Sequence, residues 1–144
     1  MDKLEIKKKI KKGWIKSWFA IEVMAKNKDV TEKALSNHIE KLENAKDTIV
    51  LEKDFGDTKK AENPPKGHDQ AFSQICELTV LNKNLYTLLN IIMLFGPSSI
   101  EILEPKEMKM KIDELQNIAN QVAGLMHQFA SAGLGGMVIS PDKK

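Results

Sequence analysis

Residues 14–25, WIKSWFAIEVMA, decide how this chain folds. The stretch is compatible with a strand or with one helix running on through Lys26. Its aromatic and β-branched content favours the strand. Side chains alternate along a strand, so Phe19, Ile21 and Val23 then face a core, and Trp18, Ala20, Glu22 and Met24 face away.

After a turn at Asn27-Lys28, Asp29 and Glu32 have the spacing of a capping box, which predicts a helix start. Leu35, Ile39 and Leu42 form its buried stripe, and it ends near Lys46. Residues 48–55, TIVLEKDF, read as a strand. Residues 56–70 carry Gly56, Asn63-Pro64-Pro65 and Gly67, the composition of a polar loop. Residues 71–81 read as another strand, with Phe72, Cys76, Leu78 and Val80 on one face.

Residues 83–105, KNLYTLLNIIMLFGPSSIEILEP, read as a helix, a stop and a strand. Leu85, Leu88, Leu89 and Ile92 share one helical face. Tyr86, Ile91, Met93, Leu94 and Phe95 make most of the remaining surface apolar, so cover is expected on more than one side. Gly96 suits a left-handed helix end, and Pro97 forbids continuation. Ile100 and Ile102 then alternate with Glu101, as in a half-buried strand.

Outside these elements the reading is coarser. Leu4, Ile6 and Ile10 fit a short amphipathic helix before Gly13. Met108, Met110 and Ile112 alternate with Lys109 and Lys111 at strand period, while Asp113 and Gln116 give a second capping signal. The last helix is therefore placed from 113, with a start at 106 as the rival. Leu115, Ile118, Val122, Leu125, Met126 and Phe129 form its stripe. Gly133, Gly135 and Gly136 end it, and Met137-Val138-Ile139 is a candidate added strand. The expected organisation is a Lys-rich segment at 1–13, one α+β domain at 14–132 and a Gly-containing tail at 133–144.

The order of elements predicts an α+β fold: a ferredoxin-like βαββαβ antiparallel sheet with helices on one face, plus a long extra C-terminal helix. That helix is expected to cover the preceding one or to make a dimer contact.

Composition limits function. The chain has 144 residues, 42% of them apolar and 29% charged, as in a soluble globular domain. No window is apolar enough for a transmembrane helix, and no secretory signal pattern opens the chain. A single cysteine, Cys76, excludes an internal disulfide framework and fits a reducing cytoplasm. All 22 basic residues are lysine, so no guanidinium fork is available for phosphate, carboxylate or guanine. The net charge of +2 is uneven. Residues 1–16 hold seven lysines against Asp2 and Glu5, or +5, and the remaining 15 lysines face 18 acids, or −3.

Residues 18–129 resemble a family of small archaeal proteins of uncharacterised function. The resemblance is carried by Ile21-Glu22-Val23, by Glu77-Leu78-Thr79-Val80, by Pro97-Ser98-Ser99-Ile100-Glu101-Ile102-Leu103-Glu104-Pro105, and by Leu125-Met126-His127-Gln128-Phe129. It implies the βαββαβ order and no activity. The string from Gly96 to Pro105 also resembles the C-terminal ends of WYL-type regulators, which bind ligands and oligomerise.

No catalytic, cofactor or metal constellation stands out. His38, His68 and His127 lack metal-ligand spacing and read as helix-edge or surface residues. Cys76 on a core face reads as a small apolar residue. Ser98-Ser99 and Gly133-Leu134-Gly135-Gly136 both lead out of helices, the reverse of a phosphate cradle. Ferredoxin-like acylphosphatases hold phosphate with an arginine, which this chain lacks.

Strand parity gives a further expectation. If Phe19/Ile21/Val23, Ile49/Leu51, Cys76/Leu78/Val80 and Ile100/Ile102 face the helices, then Glu22, Glu52, Glu77 and Glu101 share the other face. Such a face repels a phosphate backbone and suits plain solvation, the chain's own Lys-rich start, a partner or a divalent cation. Lys7, Lys8, Lys9, Lys11 and Lys12 are candidate phosphate contacts; a solvated tail and an anionic membrane contact are the other readings of that segment. The preferred expectation is a non-enzymatic module binding a protein partner or small ligand, self-associating through the last helix or a sheet edge. The alternative is a nucleic-acid- or ribosome-associated protein using those lysines.

Overall fold

The computed structural model describes residues 1–62, 64, 67 and 69–133. His68, Pro65, Gly135, Gly136 and the expected strand at 137–139 lie outside the described residues. Two compact units are present, residues 1–108 and 109–144.

The deciding stretch is a strand. In the first unit the elements run α1 (Lys3–Lys11), β1 (Ile15–Ala25), α2 (Lys28–Glu43), β2 (Thr48–Phe55), β3 (Lys59–Lys60), β4 (Phe72–Asn82), α3 (Leu85–Phe95) and β5 (Ser99–Glu104). The long strands lie in the order β2-β4-β1-β5, and β3 pairs with β4. Every pairing is antiparallel. Two connections carry helices, one from β1 to β2 and one from β4 to β5, in the split βαβ arrangement expected of a ferredoxin-like α+β fold.

Register fixes the two faces. Opposite residues in an antiparallel pair point the same way. Phe19 faces Leu78 and Ile21 faces Cys76, and all four are buried. Ile15, Leu35, Ile39, Leu42, Val80, Leu88 and Ile91 complete the core. On α2 the buried stripe is Thr31, Leu35, Ile39 and Leu42, as its spacing predicts.

Four local expectations change. The cap of α2 is Asn27, whose side-chain oxygen accepts from the Val30 amide at 2.9 Å. The Asp29/Glu32 box does not form, because the helix has already begun at Lys28; Glu32 instead accepts a hydrogen bond from the Thr58 hydroxyl and ties the following loop to α2. In β2 the predicted parity of Ile49 and Leu51 fails. Val50 faces Val80 on the core side, and Ile49 faces Leu81 on the other. A bulge between Val50 and Glu52 then shifts the strand by one residue, so Glu52 faces Thr79 on the side away from the helices after all.

The third and fourth changes concern cover. Leu88 and Ile91 of α3 are buried, with Leu85, Ile92 and Phe95 packed against the core, but Leu94 is 72% exposed and Tyr86 41%. The apolar second side of α3 is thus exposed among the described residues of this unit. Ile100 and Ile102 share the face of Phe19 and Ser17, yet Ile102 is 55% exposed, because α2 and α3 lie over β1 and β4 and leave the edge strand bare. The helix stop is as expected: Gly96 has φ +56° and Ser98 then bonds the Ala20 carbonyl through both its amide (2.8 Å) and its hydroxyl (3.1 Å).

The second unit contains α4 (Ile112–Ser131). Residues 106–111 are neither strand nor helix. Asp113 lies inside the first turn, where its carboxylate favours the positive end of the helix dipole, and Lys111 occupies the cap position without a side-chain bond. Leu115, Val122 and Phe129 of its apolar stripe are exposed. Gly133 follows the helix at φ +70°.

Phe19 has no exposed surface. Phe19→Ala is expected to cost ~3–5 kcal/mol, the usual range for emptying a buried phenylalanine site. Leu94→Ala, on the open side of α3, is expected to leave stability within ~0.5 kcal/mol. Urea unfolding followed by circular dichroism checks both.

Candidate binding surfaces

The side of the sheet away from α2 and α3 is built from alternate residues of four strands. One row across it reads Glu52, Thr79, Trp18, Glu101; the next reads Asp54, Glu77, Ala20, Ser99. Glu22 lies beyond, opposite Ile75. Glu22, Glu52, Glu77 and Glu101 are all exposed, and Asp54 joins them. Trp18 and Thr79 are half-buried in their midst. A concavity of about 500 Å³ on this face is lined by Trp18, Glu52, Lys53, Asp54, Glu77, Leu78 and Thr79, and the ammonium of Lys53 is paired with Glu43.

Asp54 stands two residues beyond Glu52, past the bulge, and so shares its face; the sequence expectation did not include it. Trp18 was placed on this face by parity, but only the register shows it flanked by Thr79 on one side and Glu101 on the other. Like charges spread over adjacent strands repel, and water screens that repulsion. An arriving cationic group would relieve it. The indole offers a flat apolar and π surface to the same group. No set of three or more His, Cys, Asp or Glu side chains among the described residues is arranged to hold a metal ion.

The candidate lysines form a second surface. Lys7, Lys8, Lys9, Lys11 and Lys12 belong to α1 and its C-terminal cap. The helix is capped by Asp2, whose carboxylate accepts from the Glu5 amide at 2.8 Å, and none of its residues is fully buried. Lys9 stands apart: its ammonium sits 4.3 Å from the Trp14 ring centroid and is committed to a cation–π contact. Lys7, Lys8, Lys11 and Lys12 are exposed. Among the described residues the ion pair present is Lys53–Glu43, at 2.9 Å. The α1 lysines therefore do not neutralise the sheet glutamates within the described residues.

The remaining candidates take structural places. His38 Nε2 donates to the Phe95 carbonyl at 3.0 Å and its ring stacks obliquely on Phe95, which ties α2 to the end of α3. His127 is exposed on α4. No helix among the described residues is long and apolar enough to cross a membrane.

Residues 16–143 match the model of the MJ0538 family. The chain belongs to that family. The match spans every long strand of the sheet and begins just after α1, so the open face lies within the MJ0538-type region and the lysine helix precedes it. A search of the curated proteins finds no significant match.

Cys76, at the centre of this region, is buried against the core, and burial pushes its thiol above the ordinary range. The folded state then holds the proton longer than the unfolded chain. Its contribution to stability is complete below the ordinary thiol value of 9.0 and is lost as pH rises above it. Lys53, held above its ordinary 10.5 chiefly by its hydrogen bond to Glu43, adds a loss only at still higher pH. Denaturant melts from neutral pH upward are expected to be flat until the thiol range and then to fall, and Cys76→Ala is expected to remove the first part of that fall. Iodoacetamide should label Cys76 far more slowly in native than in urea-unfolded protein.

Proposed function

We propose that this chain is a non-enzymatic binding module whose open sheet face receives a cationic segment of a protein partner, and that it self-associates. The observation that carries the reading is the row of Glu52, Thr79, Trp18 and Glu101 across four strands, backed by Asp54, Glu77 and Glu22. Acidic groups with an aromatic in their midst fit lysine or arginine side chains, which deliver charge to the carboxylates and a methylene stem to the indole. Each exposed pair contributes only ~0–1 kcal/mol, so affinity comes from several pairs acting together. The same charges disfavour a phosphate backbone on this face.

Self-association rests on apolar surface that the described residues leave bare: Tyr86, Met93 and Leu94 of α3, and Ile100 and Ile102 on an edge strand. A buried free thiol fits a reducing compartment such as the cytoplasm.

The test uses a Trp14→Phe background, so that Trp18 is the sole indole, and a lysine-rich peptide as probe. Expected is a saturable change in Trp18 emission that weakens with salt and falls at least tenfold in affinity in Glu52→Gln/Glu77→Gln/Glu101→Gln. An unchanged affinity in the triple variant removes the face from the account. Light scattering over a concentration series is expected to show species larger than the monomer; a strict monomer at high concentration overturns self-association.

A further inference from the structure

The geometry points to a second, separate interaction surface: a two-element lysine cleft that takes the phosphodiester backbone of a nucleic acid. Lys3, Lys7 and Lys11 recur every four residues, so they form one ridge along α1. The fold brings Lys106, almost a hundred residues away in sequence, to the same place. Lys7, Lys11 and Lys106 line one cleft of about 250 Å³ with Ile10, Pro105 and Glu104. Glu104 is the one carboxylate among these lining residues, and it makes no ion pair with the lysines among the described residues. Like charges at four-residue spacing repel along a helix, and the fold adds a third lysine to two of them together with one carboxylate, which leaves an excess of positive charge. Counterions must gather there, and a polyanion would release them.

Three features select a phosphodiester backbone over the alternatives. The cleft has no arginine and no aromatic lining residue, so it has neither a fork for guanine nor a platform for a base; its three ammonium groups, at the rim of an apolar floor of Ile10 and Pro105, suit backbone charge. Ile6 and Ile10, the residues a membrane-lying helix would insert, are half-buried against the protein rather than free. The acidic sheet face repels the same polyanion and offers it no competing site.

The experiment measures anisotropy of fluorescent duplex DNA, duplex RNA and single-stranded RNA with the full chain, from about 50 to about 200 mM salt. Three phosphate contacts on a duplex predict a log–log slope of about −2.7, or a loss of about 40-fold over that range. Lys106→Gln is expected to reduce the slope by about 0.9, as Lys7→Gln and Lys11→Gln each do, which leaves a loss of about 12-fold. Lys33→Gln, an exposed α2 lysine, should change nothing. Circular dichroism confirms that each variant is folded. If Lys106→Gln matches wild type while the α1 variants weaken binding, the cleft is refuted. Tighter binding to vesicles of anionic lipid than to any nucleic acid at equal salt overturns the assignment to a phosphodiester backbone. No binding at the lowest salt overturns the proposal outright.

Discussion

Strand β1 is hydrogen-bonded along both edges, to β4 and to β5, so its alternation governs both faces of the sheet. The buried set Ile15, Ser17, Phe19 and Ile21 and the outward set Lys16, Trp18 and Glu22 are one residue out of step. A slip by one position would drive a tryptophan and a glutamate under α2 and put Phe19 and Ile21 into water. The cost of burying an unpaired carboxylate alone forbids it. The hydrophobic demand of the core and the position of the outward carboxylates are therefore a single constraint. What packs Phe19 against Leu78 also aligns Trp18 with Thr79 and Glu101.

The same constraint explains why so much of the architecture was legible. Residues 14–25 have enough β-branched and aromatic content to choose the strand, and Gly96-Pro97 forces α3 to end where β5 must begin. The α2 stripe at Leu35, Ile39 and Leu42 needs only helical spacing. Details that depend on partners far away in sequence were not legible. The bulge in β2 is set by how β2 meets β4, and it moved Val50 rather than Ile49 into the core while restoring Glu52 to the outer face. Asn27 replaced Asp29 as the cap because the helix begins two residues earlier than the box implied. β3, two residues long, exists only because β4 offers it an edge.

The surfaces divide along the same line. The outward glutamates could be assigned to one face by counting residues, because strand alternation is local. Asp54 follows from the same count, two residues on from Glu52. The grouping of Lys106 with Lys7 and Lys11 could not be read at all: it depends on where β5 delivers the chain after Glu104. Lys9 was one of five equivalent candidates in the sequence, and its contact with Trp14 removes it from the free charges.

Charge is uneven in the fold as it is in the sequence. The first 16 residues carry +5 and the rest −3, but sequence position alone does not keep the two apart in space. Gly13, at φ +106°, turns the chain between α1 and β1, and a residue with a Cβ would be strained there. Beyond the turn, Lys9 over Trp14 fastens the end of α1 to the start of β1. A helix held this way presents its exposed lysines as a fixed ridge, whereas a frayed tail would spread the same charges through a larger volume. Fixed charges lose less freedom on meeting a partner than charges on a frayed tail do. On the acidic face Glu77 and Glu22 ride on the central strands β4 and β1, whereas Glu52, Asp54 and Glu101 ride on the edge strands β2 and β5. The two surfaces therefore present opposite charge from one folded unit.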